Sequence, residues 1–414
     1  MMTALPILEK PELLAPAGGR EQFEAALLYG ADAVYLGGPE LSLRTTCTGF
    51  AGDALSKAVS EAHSSGVRVY YCLNALPYDR NLAEVESMLE TLPDVGVDGL
   101  IAADPGVILL ARRLCPDIPI HLSTQAHTVN RESVAFWKEA GVMRVNLARE
   151  LSARDIRDLI AACPGVEIEL FVHGAMCLAL SGHCLLSAWA NSRPANQGRC
   201  TQPCRFDYRG MTLSVEEQKR AGEVLWNVQQ GEDFSGIWAP HDLCLLRWLP
   251  WLFRSGAHAL KLEGRTKSGG YVAQVVDAYR TALDGCAAGS CSPEFFRTCL
   301  NELFHTASRP LSSGFFLPRR RLEQPAEGFS PRPVAARLLE PLAEGSWKIQ
   351  VRSPWSAERE AHVLVPGLHR PALIPGAYAL ENHRGERTEL LHPGMEGVLH
   401  CSLEGLERGF YVRV

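Results

Sequence analysis

The 414-residue chain has no apolar run approaching the roughly 18–20 residues that a helix needs to cross a bilayer, which excludes a helical membrane protein. It has no excess of positive charge either. Lys and Arg number 41 against 47 Asp and Glu, for a net charge of −6, which excludes a globally basic nucleic-acid coat but not a local basic face. G-x-S-x-G, H-E-x-x-H and a cysteine-protease signature are all missing, so the activated nucleophile of a common hydrolase is not in evidence. No G-x-G-x-x-G follows the first apolar stretch, which removes the usual dinucleotide fingerprint. The opening MMTALPILEKPELLAPAGG lacks a basic segment followed by an apolar core and a cleavage site. The expected location is therefore cytoplasmic, without a membrane partner, where thiols stay reduced.

Against these absences stand 13 cysteines, four of them close together. An apolar strand over Ile168–Val172 breaks at His173-Gly174, and Cys177, Cys184, Cys200 and Cys204 follow as C-x6-C-x15-C-x3-C. Turn formers lie between them: Ser181-Gly182, Pro194, Asn196, Gln197-Gly198 and Pro203. A loop of that kind can bring separated thiolates to one point, where they suit tetrahedral zinc or an iron–sulfur cluster. Disulfides and inert buried thiols are the competing readings. The spacing matches neither a zinc ribbon nor a bacterial ferredoxin run, so it leaves the metal open.

From residue 11 onward a short apolar run, a turn and an amphipathic segment repeat. The runs fall at Glu12–Ala15, Ala33–Leu36, Val67–Leu73, Gly99–Ala102, Ile118–Leu122, Val145–Ala148, Ile168–Val172 and Ala259–Leu262. Helical patterns between and after them include Glu21–Tyr29, Ala54–His63, Leu82–Leu92, Val107–Leu114, Glu132–Ala140, Ala153–Ala162, Leu243–Arg254 and Tyr271–Leu283. Strands apolar on both faces, alternating with helices, imply a parallel sheet covered by helices. Eight such units predict an α/β fold of the (β/α)8, TIM-like barrel type rather than a doubly wound sheet. The barrel is expected over 1–316, with a cysteine-rich loop at 173–205 and an insertion at 206–241. A Pro- and Arg-rich linker is expected over 317–335. Short alternating strands over 336–414 predict a small all-β, barrel-like domain.

The active site of such a barrel lies at the C-terminal ends of its strands. Those ends carry Asn74, Asp104, Ser123 with Gln125, Arg149-Glu150, His173 and Glu263-Gly264-Arg265. The cysteine loop leaves the seventh strand, which puts any metal at the mouth. His173, Glu263 and Arg265 are the candidate catalytic residues, and Asn74, Gln125, Lys261 and Lys267 the candidate substrate-binding ones. Lysine and arginine there suit phosphates or carboxylates, although Glu263 beside Arg265 reads equally well as an ion pair of the rim. Tyr35, Trp189 and Phe206 are candidates to stack on a base. Arg319, Arg320 and Arg321 read as a solvated linker or as phosphate contacts.

Three ordered stretches carry a family likeness: ELLAPAGGREQFEAALLYGADAVYLGG, ELFVHGAMC with SGHCLLS, and LKLEGRTKSGGYVAQVVDAYRTALD. Together they resemble the collagenase-like U-32 peptidase family over residues 11–316. Several bacterial members are implicated in oxygen-independent hydroxylation, and this chain looks most like the tRNA-hydroxylating ones through HLSTQAHTVNRESVAFWKEAG, LARELS, NQGRCTQPCRF and KLEGRTKS. The resemblance implies an RNA-modifying enzyme that hydroxylates the wobble uridine of tRNA to 5-hydroxyuridine, with prephenate as co-substrate. It also implies a 4Fe-4S cluster on Cys177, Cys184, Cys200 and Cys204, with Cys47 and Cys244 in reserve as ligands and zinc as the alternative metal. The implied partners are tRNA, an electron-donor protein and a partner subunit. Other functions in the family's range are hydroxylation of ribosomal RNA or a quinone precursor, and peptidase activity; a zinc-bound RNA-binding scaffold is the non-enzymatic reading.

Overall fold

In the computed structural model, the described residues are 10–39, 42, 49–177, 179–180, 184, 186–191, 193, 200–205, 214–216, 224–227, 229–230, 235–236, 241–343 and 345–414. Eight strands close a parallel barrel: β1 (Glu12–Pro16), β2 (Ala33–Leu36), β3 (Arg68–Leu73), β4 (Gly99–Ala102), β5 (Ile120–Leu122), β6 (Arg144–Asn146), β7 (Glu167–Gly174) and β8 (Ala259–Leu262). Each pairs in parallel with its neighbour, and β8 closes the ring between β7 and β1. The expected (β/α)8 barrel is therefore present.

The longer helices between them are α1 (Arg20–Leu28), α2 (Asp53–Ser64), α3 (Leu82–Val95), α4 (Pro105–Leu114), α5 (Arg131–Glu139), α6 (Ala153–Ala162) and α7 (Leu249–Ser255), with a short helical turn at Leu186–Asn191. After the barrel come α8 (Gly269–Ala287) and α9 (Pro293–Phe304). Local chemistry sets their starts. Asp104, Asn130, Ser152, Ser268 and Ser292 each accept a first-turn N–H through their side chains, satisfying donors that the helix itself leaves orphaned. One boundary differs from the sequence reading. Leu243 and Cys244 do not begin a helix; they form a strand, Asp242–Cys244, antiparallel to the end of β7, and α7 starts at Leu249.

Strand alternation divides the barrel into an outer shell and a lumen. Leu13, Val34, Val69, Leu100, Ile168, Leu170 and Leu260 face the helices and join the main core. On the inner face, Leu14, Ala33, Tyr35, Tyr70, Cys72 and Ile101 from β1–β4 form a separate apolar cluster. The opposite half of the lumen holds buried polar groups from β5–β8: His121, Arg144, Asn146, Glu169 and Lys261.

The C-terminal domain is an eight-stranded antiparallel sheet that includes Val334–Ala343, Ser346–Val351, Ala361–Leu364, Tyr378–Asn382, Glu396–Cys401 and Tyr411–Arg413. Trp355, Leu338, Ile349, Val363 and Leu399 lie in its core. It docks on α1, α8 and α9 through buried polar contacts. Asp277 of α8 accepts the Gly367 N–H at 2.7 Å and pairs with Arg370 at 2.7 Å. Glu302 of α9 is held by Arg370 at 2.9 Å and by Arg413 at 2.8 Å. Tyr29, which caps the C-terminus of α1, donates to the Leu364 carbonyl at 2.6 Å.

Candidate functional site

A cavity opens at the C-terminal ends of the barrel strands. Its walls include Tyr35, Cys72, Asn74, Ser123, Gln125, Asn146, Arg149, Phe171, Cys177, Lys261, Glu263 and Arg265. Seven candidate residues thus share one space: Tyr35, Asn74, Gln125, Cys177, Lys261, Glu263 and Arg265.

Its electrostatics come from cations laid on aromatic faces above a buried carboxylate. The Lys261 ammonium sits 4.4 Å from the Tyr35 ring centroid and donates to Glu169 Oε1 at 2.8 Å. Asn146 Nδ2 donates to the same oxygen at 2.7 Å. The Arg149 guanidinium lies 3.9 Å from the Phe171 centroid and meets Glu263 at 3.4 Å. Arg265, 5.6 Å from the Tyr35 centroid, donates to Ser42 Oγ at 2.7 Å. Two cations already lie against the Tyr35 ring, whose hydroxyl donates to the Leu262 carbonyl at 2.8 Å. Cation–π contacts of this kind orient guanidinium and ammonium groups and leave them charged.

Deeper in the lumen, Glu12 accepts from the Tyr70 hydroxyl at 2.7 Å and pairs with Arg144 at 2.7 Å and with Arg68. Burial, reinforced by the charges of Arg144, Lys261 and Arg68, pushes the His121 imidazole well below its ordinary value, so it is neutral at physiological pH.

His173 and Lys267 do not line the cavity. A bulge explains the first. Lys261 pairs with Phe171 but Leu262 with His173, so β7 has one residue more than β8 at its exit. The extra residue turns His173 outward, where its ring packs on Tyr279 and Tyr271 of α8 at centroid distances of 5.4 and 6.2 Å. Burial there, with the Lys267 charge, lowers its pKa to about 3. Lys267 lies 5.3 Å from the Tyr271 ring centroid.

The cysteine segment begins at the cavity wall with Cys177, which is exposed, and Cys184, Cys200 and Cys204 are partly exposed. None of the four is in a disulfide. Ser187 and Thr201 brace the segment: Ser187 Oγ accepts the Thr201 N–H at 3.0 Å, and Asn191 donates to Thr201 Oγ1 at 2.8 Å. The Gln202 N–H donates to Cys200 Sγ at 3.4 Å, the kind of contact that tunes a metal-bound thiolate. By chemistry alone four thiols suit a soft metal or an iron–sulfur cluster, but of the four only Cys177 lines the cavity. Among the described residues, no three His, Cys, Asp or Glu side chains gather closely enough to hold an ion. Cys244 is buried beside His173, and burial pushes its thiol up to about 12. Cys47, Phe206 and the Trp189 side chain lie outside the described residues.

Sequence reading placed Arg149 at a strand end of the expected site without giving it a role, and left Asn146, Phe171 and Glu169 out. The available signal was alternation. Glu12, His121, Arg144, Glu169 and Lys261 are polar residues at inward positions of otherwise apolar strands, and a closed barrel brings such positions together in its lumen.

Barrel closure, a polar lumen and a cation-lined mouth define a (β/α)8 protein with its site at the C-terminal end. The chain belongs to Peptidase family U32, whose family model matches residues 18–325. It is 37% identical over 340 residues to tRNA hydroxylation protein P of Escherichia coli (strain K12), covering 74% of each chain. To tRNA hydroxylation protein P1 of Bacillus subtilis (strain 168) it is 40% identical over 313 residues, covering 75% of this chain and 72% of that one. It is also 31% identical over 311 residues to the 23S rRNA 5-hydroxycytidine C2501 synthase of Escherichia coli (strain K12), covering 72% of this chain and 44% of that one. No described helix is long and apolar enough to cross a membrane.

Proposed function

We propose that this chain is an RNA-hydroxylating enzyme. Its substrate is tRNA, at the wobble uridine, and the product is 5-hydroxyuridine. The names of its relatives support hydroxylation of RNA as the class of reaction. One observation carries the reading to this site: Cys177 opens into the same cavity as Asn74, Gln125, Lys261, Glu263 and Arg265.

Each group has a task in that cavity. The amides of Asn74 and Gln125 can hydrogen-bond the edge of an unpaired base. Lys261, Arg149 and Arg265 favour carboxylates or a phosphate, which suits prephenate as co-substrate. Glu263, oriented by Arg149, is the group placed to take or return a proton. Cys177, Cys184, Cys200 and Cys204 would hold a 4Fe-4S cluster. When bound, such a cluster supplies electron transfer, for which a donor protein is the expected partner.

The test is anaerobic purification with iron, sulfide and zinc assays, joined to nucleoside analysis of tRNA from a deletion strain carrying wild type or Cys200→Ser. Wild type should be brown and restore 5-hydroxyuridine. The variant should lose both colour and modification while melting like wild type. Modification that persists in the variant would refute the cluster-dependent reading. A colourless protein with stoichiometric zinc and no effect on tRNA would favour a scaffold.

A further inference from the structure

Residues 311–323, LSSGFFLPRRRLE, straddle the expected end of the barrel at 316 and the start of the expected linker. They fold back on themselves. Ser312 bridges Leu322 in antiparallel fashion, the Ser313 N–H donates to the Arg321 carbonyl at 2.9 Å, and the Glu323 N–H donates to the Leu311 carbonyl at 2.9 Å. The Arg321 N–H also donates to Ser313 Oγ at 3.0 Å. The base of this hairpin is bound to the barrel mouth. Leu311 and Ser312 pair with Asp242 and Leu243, and Leu243 in turn pairs with Gly174 at the end of β7.

The two phenylalanines of the hairpin have opposite fates. Phe316 is buried against Trp251 and Trp248, at centroid distances of 5.1 and 6.0 Å, and anchors the arm. Phe315 is 48% exposed. Between them and the cysteine segment the chain is close. Gly314 has φ +55, and a Cβ there would lie 2.9 Å from Leu243 and 3.7 Å from Met176, the residue before Cys177. The hairpin therefore stands directly beside the wall of the candidate cavity.

Arg319 and Arg320 near its tip and Arg321 on its returning strand are all exposed. The carboxylates at its base are already taken: Glu323 by Arg247 at 2.9 Å and Asp242 by Arg309 at 2.9 Å. Among the described residues, no ion pair neutralises Arg319, Arg320 or Arg321. A chain with a net charge of −6 thus concentrates unneutralised positive charge, with one exposed aromatic ring, at the edge of its mouth.

We propose that this hairpin is the docking arm for an unpaired RNA loop. Phe315 stacks on a base next to the target, and Arg319, Arg320 and Arg321 contact the flanking phosphates. A π-face accepts any base, while arginines supply salt-dependent affinity. The pairing would bring the loop over the cavity without requiring the barrel itself to be basic. The proposal rests on the reading of the protein as an RNA-hydroxylating enzyme and specifies how the RNA is held.

The experiment measures fluorescence anisotropy of a labelled RNA stem-loop, and of the same strand annealed to its complement, over a salt series. The proteins are the full chain, the triple variant Arg319→Ala/Arg320→Ala/Arg321→Ala, and Phe315→Ala. Wild type should prefer the stem-loop. The triple variant should bind at least about ten-fold more weakly and lose about 2 from the slope of log Kd against log salt, near 0.7 per lost phosphate contact. Phe315→Ala should lose the preference for unpaired RNA and leave the salt slope unchanged. Thermal melting of both variants should match wild type, because neither site supports the core. If wild type binds the stem-loop and the triple variant binds it equally with the same slope, the arm is not the dock while the enzymatic reading stands. If wild type binds neither RNA, both readings fall. Equal affinity of wild type for loop and duplex would overturn the stacking role of Phe315.

Discussion

The Lys261 ammonium on β8 and the Glu169 carboxylate on β7 meet at 2.8 Å inside the barrel, both almost fully buried. Asn146 Nδ2 supports the same Glu169 oxygen, and Arg144 lies 3.7 Å from the other. The pair links the cation-lined mouth to the ionic floor formed by Glu12, Arg144 and Glu167.

Removing one member of such a pair leaves the other charged in a low-dielectric interior, which costs more than the pair contributes. Lys261→Met and Glu169→Gln, each leaving its partner unpaired, should therefore each destabilise the protein, Lys261→Met by about 3–5 kcal/mol. Lys261→Met/Glu169→Gln should recover much of that loss. Chemical unfolding of wild type, both single variants and the double variant measures the coupling. Strict additivity would show that the two side chains do not act as a unit.

His173 gives the protein an acid-sensitive exit from β7. Its folded pKa is lowered to about 3, first by burial and then by the Lys267 charge, against an ordinary value of about 6.5. Between those values the unfolded chain binds the extra proton, so stability falls as pH drops from about 6.5 towards 3. The contribution lost is on the order of 5 kcal/mol at most. His173→Phe should flatten the dependence of unfolding free energy on pH in that window by up to one proton. An unchanged slope would mean that the ring is not buried as a neutral group.

The seam between barrel and C-terminal sheet should depend on Arg370, which joins Asp277 and Glu302. Among the described residues, Arg370→Met would leave the Asp277 carboxylate with the backbone N–H groups of Gly367 and Leu368 alone. Loosening should cost roughly 3 kcal/mol, because a buried carboxylate loses its counter-charge. Limited proteolysis is the measurement, with faster cleavage in 317–333 expected for the variant. Cleavage at the wild-type rate would show that the seam is held elsewhere.

The barrel was legible because parallel strands covered by helices leave a strong periodic signal. All eight strands lie where apolar runs alternate with amphipathic segments, and polar residues at the strand ends mark most of the cavity. Three features were not legible, for separate reasons. Glu169 and Lys261 sit inside runs that read as uniformly apolar, and only closure of the ring reveals that they face one another. His173 has the sequence position of a mouth residue, but one bulge rotates it outward. The hairpin at 311–323 has an arm-like composition, and its order comes from Leu311 and Ser312 joining a strand nearly seventy residues earlier. A further difference falls at 334–343, which extends the first strand of the C-terminal sheet into the expected linker.

Barrel closure has a kinetic consequence. The ring shuts when Glu12, Leu13 and Leu14 pair with Ala259, Leu260 and Lys261, a contact between distant parts of the chain. The whole cysteine segment lies in the excursion that must be traversed between β7 and β8 before this can happen. Contacts of such high sequence separation form late and slowly. On that argument the cysteine segment should stay accessible to a thiol reagent until β8 docks between β7 and β1 and closes the lumen.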